Sequence, residues 1–269
     1  MSERVDLFNT TYGHFTEDVM QVVRRETFGV DIGQNSWITA DEYGRFMAWL
    51  QLAPEHHVLE VASGSGGPAL YLAQHARCRV TGIDANESGV ATATEHAARS
   101  GQNGSVCFAA ADANARLPFE TGSFDALLCI DSMNHFPDRL AVFREWHRVL
   151  KPGGRAVFSD PVVVTGPVTN DDLAARSSIG LFLFVPSGVN ERLIDEAGFE
   201  RLRQEDVSGN AVLIAGRWHR ARQAHKDALI GLEGEERFEK LQRFFQTVER
   251  LTGERRLSRI AYLTRKPQE

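Results

Sequence analysis

The chain has 269 residues, 42% of them hydrophobic and 25% charged, an ordinary globular composition able to bury a full core. Its net charge of -6 argues against nucleic acid or an anionic membrane surface as partner, and no apolar run approaches the length of a membrane span. Three irregularly spaced cysteines and an N-terminus without a secretory pattern lead us to expect a cytoplasmic protein with neither disulfides nor a metal.

Residues 1–52 read as an N-terminal helical cap. Phe15, Val19, Val22 and Val23 recur at helical spacing, and Tyr43, Phe46, Met47 and Leu50 form the face of a second helix. Thr39 and Glu42 have the spacing of a capping box for that second helix. Between the two helices lies a polar loop, Gly33-Gln-Asn-Ser36.

Strands and helices then alternate through residues 53–207. Strands are predicted at 58–61, 79–84, 105–110, 124–130, 155–159 and 199–207, with helices at 68–74, up to 100, at 137–150 and at 190–197. Residues 161–188 break the alternation and read as an irregular insertion. Helical segments over 209–229 and 234–252 make residues 208–255 a lid insertion, and 256–269 carry the final strand. Alternation at this spacing implies a doubly wound α/β sheet.

The most informative stretch is His57-Val-Leu-Glu-Val-Ala-Ser-Gly-Ser-Gly-Gly67, a strand that ends in an acid and runs into a glycine-rich turn. Residues without Cβ let the backbone approach a ligand and offer it N–H groups. The second strand also ends in an acid, Asp84, which suits a ribose diol. Together they point to an adenosine cofactor. The wider-spaced glycine fingerprint of nicotinamide-dependent dehydrogenases is absent.

Over about residues 30–207 the chain resembles the class I S-adenosylmethionine-dependent methyltransferases. The segment from Glu60 to Gly66 is similar to their first motif, which implies contacts to the methionine part of the cofactor from Glu60, Ala62, Gly64 and Gly66. Ala62 stands where the family usually has its first glycine. Asp84, with Ala85 after it, is similar to the ribose-binding acid, and Asp112 and Ala113 to the adenine-side motif. Phe124 to Ile130 resembles the fourth-strand motif, and Arg148 to Gly154 the turn before the fifth strand. Gly33 to Trp37, including Ser36, resembles the segment that folds over the methionine end. The resemblance implies a Rossmann-like sheet of seven strands with the last antiparallel, S-adenosyl-L-methionine as cofactor, and a small-molecule acceptor.

A sulfonium methyl is already activated, so the protein has to position the acceptor, exclude water and take up a proton. Asp131 and His135 follow the fourth strand, at the sheet edge where ligands bind, and a helical turn there would put them on one face. A histidine oriented by a carboxylate is a general base for neutral pH. The same stretch is similar to the phosphobase methyltransferases, and the location is shared with glycine-betaine-type and natural-product methyltransferases. Phe15 stands where the phosphobase enzymes carry a tyrosine, with Tyr12 out of register, which argues against phosphoethanolamine. Phe182, Phe184 and Trp218 are candidates to line an apolar or cation-binding acceptor pocket, or to form the lid's own core.

The expected activity is methyl transfer to nitrogen or oxygen of a small molecule, by a monomer or homodimer. Carbon methylation and a catalytically silent cofactor-binding protein stand as alternatives.

Overall fold

The computed structural model describes residue 14 and residues 17–268. Phe15 and Tyr12 lie outside the described residues. The first described helix, α1 (Asp18–Phe28), buries Met20, Val23, Thr27 and Phe28 rather than the face expected from Val19 and Val22. Helix α2 (Ala40–Leu50) starts at the Thr39 cap, whose hydroxyl accepts from the Glu42 N–H at 3.2 Å. The other half of the capping box is missing, because the Glu42 carboxylate is drawn to Arg259 instead.

The core then alternates as the sequence implies. It comprises β1 (His57–Val61), α3 (Gly67–Ala76), β2 (Arg79–Asp84), α4 (Glu87–Arg99), β3 (Val106–Ala110), β4 (Phe124–Cys129), α5 (Arg139–Val149) and β5 (Leu150–Val164). Strand β5 is far longer than expected. Leu150 pairs with Phe124, a bulge follows, and the strand continues into what read as an irregular insertion. That insertion also contains α6 (Asn170–Arg176) and the two-residue β6 (Val185–Pro186), beside the end of β5. Then come α7 (Val189–Glu196), β7 (Glu200–Asp206), α8 (Ser208–Ala224), α9 (Lys226–Glu233), α10 (Glu235–Gly253) and β8 (Leu257–Arg265).

The strands order as β3-β2-β1-β4-β5-β8-β7, with β6 off the path. Strands β1 to β5 run parallel, and β8 inserts antiparallel between β5 and β7. The result is the expected Rossmann-like sheet with one short extra strand.

Period-two alternation sends neighbouring side chains to opposite faces. Leu127 and Cys129 join Phe143, Trp146 and Ile194 on one side, while Ala126 and Leu128 join Tyr43, Phe46 and Leu72 on the other. Burying each large apolar side chain contributes roughly 1.5–3 kcal/mol. A third apolar cluster unites α1, α8, α9 and α10 through Val23, Ile214, Leu229 and Phe245. Among the described residues no helix is long and apolar enough to cross a membrane.

Candidate active site

A cavity of about 700 Å³ opens where β1, β2 and β4 end, between the sheet and the helices of the third cluster. The turn after β1 forms its floor. Ser63 donates its N–H to the Ile83 carbonyl at 2.9 Å and Gly66 donates to Ser63 at 2.9 Å, which folds the turn back on itself. Ala62 takes a left-handed φ of 58°, the conformation that a glycine would occupy without penalty. Gly66 is also left-handed and does not line the cavity: a Cβ there would meet Phe108 Cζ at 2.5 Å and Ala93 Cβ at 2.7 Å. Its hydrogen atom admits helix-to-strand packing, not a ligand. Gly33 and Gly67 touch backbone to backbone, so the 33–37 segment lies across the start of α3.

Of the residues expected at the cofactor, Ser36, Glu60, Ala62, Gly64, Asp84, Ala85, Asp112, Ala113 and Ile130 all line this one cavity. Asp84 accepts from the Gly64 N–H through Oδ2 and from the Asn86 N–H through Oδ1, both at 2.8 Å. Each oxygen keeps a lone pair for a diol. Burial raises its pKa, and the two N–H groups oppose that rise. Asp112 is exposed at the rim, with Oδ1 turned to Asn114 at 2.9 Å.

Glu60 is the strongest sign of what the cavity accepts. Its Oε1 takes a hydrogen bond from Tyr43 at 3.3 Å, while Oε2 is buried without a partner. Burial pushes the carboxyl up to about 8. An orphaned carboxylate oxygen in such a place calls for a cation. The amino group of a methionine moiety meets that need, whereas the nucleotide end of a dinucleotide does not. Ser63 Oγ, also buried and unpartnered, lines the same wall. The residues present therefore fit an adenosine joined to a cationic amino acid.

The two predicted catalytic residues share the cavity but not each other. Asp131 has a left-handed φ of 56° and precedes a single 3-10 turn, Met133–His135, so the pair does not share a helix face. Asp131 Oδ1 instead accepts from Arg259 Nε and Ser159 Oγ, both at 2.6 Å, and Oδ2 accepts from the Trp37 N–H at 2.8 Å. Arg259 also donates to Glu42 Oε2 at 2.6 Å. The expected carboxylate–histidine dyad is replaced by a clamp holding the N-terminal segment to the sheet.

His135 has its Nε2 at 3.1 Å from the Asn134 amide nitrogen, and its ring bonds to the Leu181 backbone. Burial lowers its pKa and the positive charge of Arg176 lowers it further, so the ring is neutral near pH 7. Phe182 packs 5.4 Å from it. Phe182 and Trp218 line the cavity as expected, while Phe184 is not among its walls. The protein's own Arg176 lies 4.7 Å from the Phe182 ring and 4.9 Å from that of Phe244.

Arg176, Arg222, Glu233 and Arg259 escaped sequence reasoning. No motif surrounds them, and only tertiary packing brings them to the site. Among the described residues no cluster of three metal-ligating side chains occurs.

Residues 59–158 match the protein family described as methyltransferase domain. The chain is 36% identical over 178 residues to Methyltransferase GfsG of Streptomyces halstedii, covering 62% of this chain and 63% of that protein. It is 34% identical over 167 residues to the 27-O-demethylrifamycin SV methyltransferase of Amycolatopsis mediterranei, covering 61% of each. The chain thus spans about three fifths of the length of these curated relatives. Among solved structures, the [4+2]-cyclase SpnF superimposes with a TM-score of 0.74 at 23% identity, covering 98% of this chain and 99% of that one. That likeness concerns the fold.

Proposed function

We propose, from a chain that carries a class I S-adenosylmethionine-dependent methyltransferase domain, that it transfers a methyl group to nitrogen or oxygen of a small-molecule acceptor, with His135 as general base. The observation that carries this reading is that His135, half-buried and held below its ordinary pKa, opens into the same cavity as Glu60 and Asp84.

In this reading Glu60 receives the ammonium of the methionine moiety, Asp84 the ribose hydroxyls, and Asp112 with Ala113 the adenine edge. Ser36, Ala62, Gly64, Ala85 and Ile130 complete the contacts, and Gly66 keeps the turn closed. When bound, S-adenosylmethionine supplies a sulfonium methyl open to in-line displacement. The acceptor's nucleophile takes the place of the Asn134 amide beside His135 Nε2 and gives up its proton there. Asp131 positions rather than reacts, because Arg259, Ser159 and the Trp37 N–H already occupy its oxygens.

The aromatic walls from α8 and α10 support the exclusion of water. Residues 1–52 then act as a cap, 53–207 as the core, 208–255 as a lid and 256–269 as the closing strand. A net charge of -6 supports a small acceptor over nucleic acid, and three free cysteines support a reducing, cytoplasmic setting. We assign the protein as a monomer or homodimer.

The test is the formation of S-adenosylhomocysteine with a panel of amines, alcohols and phenols, read by mass spectrometry together with the methylated product. Tight cofactor binding without methylated product from any of them would refute the reading.

A further inference from the structure

Arg176 ends α6 and is 1% exposed, yet it lines the cavity. Among the described residues it forms no salt bridge or hydrogen bond, and its Nη1 is buried without a partner. The two carboxylates whose charge it feels, Asp131 and Asp160, are already held by Arg259 and Arg139. Burial pushes its pKa down to about 9, which leaves the guanidinium charged at neutral pH.

Three rings surround it. Phe182 lies 4.7 Å from Cζ, Phe244 4.9 Å and Trp37 5.9 Å. Cation–π contact recovers only part of what burying an unpaired charge costs. A guanidinium also presents a planar fork of donors that matches a carboxylate, and here that fork is unused.

Arg222, Glu233 and Arg237 line the same cavity. Glu233 is paired with Arg222 and lies 3.7 Å from Arg237. The acids Glu60, Asp84 and Asp112 gather at the opposite end. The cavity therefore carries acids where the cationic cofactor fits and the unpaired Arg176 among its aromatic walls.

We infer that the methyl acceptor is an amphiphilic carboxylate whose anionic group pairs with Arg176 and whose apolar body lies against Trp37, Phe182 and Phe244. The inference rests on the methyl-transfer reading above and names its acceptor class. Because His135 and Arg176 flank the same Phe182 ring, anchoring the carboxylate at Arg176 brings the acceptor's nucleophile to the histidine. Arg176 thereby sets specificity.

The experiment is calorimetric titration of the full chain, first with S-adenosylhomocysteine and then, once saturated, with 3-phenylpropanoate, 3-phenylpropanamide, 3-phenylpropylammonium and phenyl phosphate. We expect 3-phenylpropanoate to bind at least about tenfold more tightly than the amide, with the ammonium weakest. That preference should fall to about twofold or less in Arg176→Gln and persist in part in Arg176→Lys. The comparison of probes on the parent protein stands whether or not a variant folds. Equal binding of acid and amide, no binding of either, or an undiminished preference in a folded Arg176→Gln overturns the inference alone. Tighter binding of phenyl phosphate overturns the choice of a carboxylate. Absence of S-adenosylhomocysteine binding overturns the methyl-transfer reading, and the inference falls with it.

Discussion

Arg259 donates through Nε to Asp131 Oδ1 at 2.6 Å and so ties the last strand to the turn after β4. The same guanidinium reaches Glu42 at the start of α2, and all three side chains are almost fully buried, at 0%, 3% and 2% exposure. One cation holds two carboxylates out of water. Through the Trp37 N–H, Asp131 passes that anchorage to the segment lying over the cofactor end.

Removing the cation should therefore cost far more than a surface pair would. Arg259→Gln takes their shared cation from two buried carboxylates, leaving Glu42 with the exposed Arg45 at 3.7 Å and Asp131 with neutral donors, and breaking such an arrangement costs about 3–5 kcal/mol. Urea unfolding measures it, and a loss under about 1 kcal/mol would contradict the clamp. The deficit should shrink in acid. Burial already raises the pKa of Glu42, so its protonation relieves the unpaired charge early.

Glu60 gives a second prediction through its pKa. The folded value of about 8 lies above the unfolded value of 4.5, so between them the native state holds a proton that the unfolded chain has lost. The stability this provides is complete below the unfolded value and disappears as pH rises through about 8. Unfolding free energy should accordingly fall between about pH 4.5 and about pH 8 and level above that, and Glu60→Gln should flatten the slope. An ammonium placed beside Oε2 favours the ionised form. Binding of S-adenosylhomocysteine at neutral pH should release up to about one proton, read by calorimetry in buffers of different ionisation enthalpy. Glu60→Gln should release none. Parent protein that releases no proton would remove Glu60 from the ammonium site.

What could be read from the sequence was local. The turn from Glu60 to Gly67 and the acid at Asp84 are set by neighbours a few residues apart, and strand–helix alternation fixed where they meet. The positions of Asp131 and His135 at the cavity were also readable, since both follow a strand end. Their partners were not. Asp131 is claimed by Arg259, 128 positions away, and that long-range pairing outcompetes the helical spacing that suggested a dyad. Glu42 left its expected capping box for the same arginine. The aromatics around Arg176 were visible as residue types, but tertiary packing alone brings the arginine among them.

Asp84 supplies a third test. Its oxygens accept from Gly64 and Asn86 and have capacity left for two hydroxyls. Hydrogen bonds to a charged group contribute about 1.5–3 kcal/mol each, so Asp84→Ala should weaken S-adenosylhomocysteine binding by about tenfold to a hundredfold for the loss of one bond and by more for the loss of both. Asp84→Asn keeps one acceptor oxygen and should fall between parent and alanine. An unchanged dissociation constant for Asp84→Ala would exclude the ribose role.

His135 supplies the last. As a general base it should contribute about a hundredfold to ten-thousandfold in turnover, so His135→Ala should lower kcat by that order while S-adenosylhomocysteine affinity stays within about twofold. A base works when unprotonated, and burial holds this imidazole below its ordinary pKa of 6.5. The profile of kcat/KM should therefore rise with pH through a value below 6.5 and then level. Part of that depression comes from the charge of Arg176. A carboxylate bound to Arg176 cancels the charge, so the limb in kcat, which reports the loaded enzyme, should lie at higher pH than the limb in kcat/KM, which reports the free one. An acceptor lacking the carboxylate should leave the two limbs together. His135→Ala should lose both limbs, and an acid limb that persisted unchanged in this variant would assign the proton to another group.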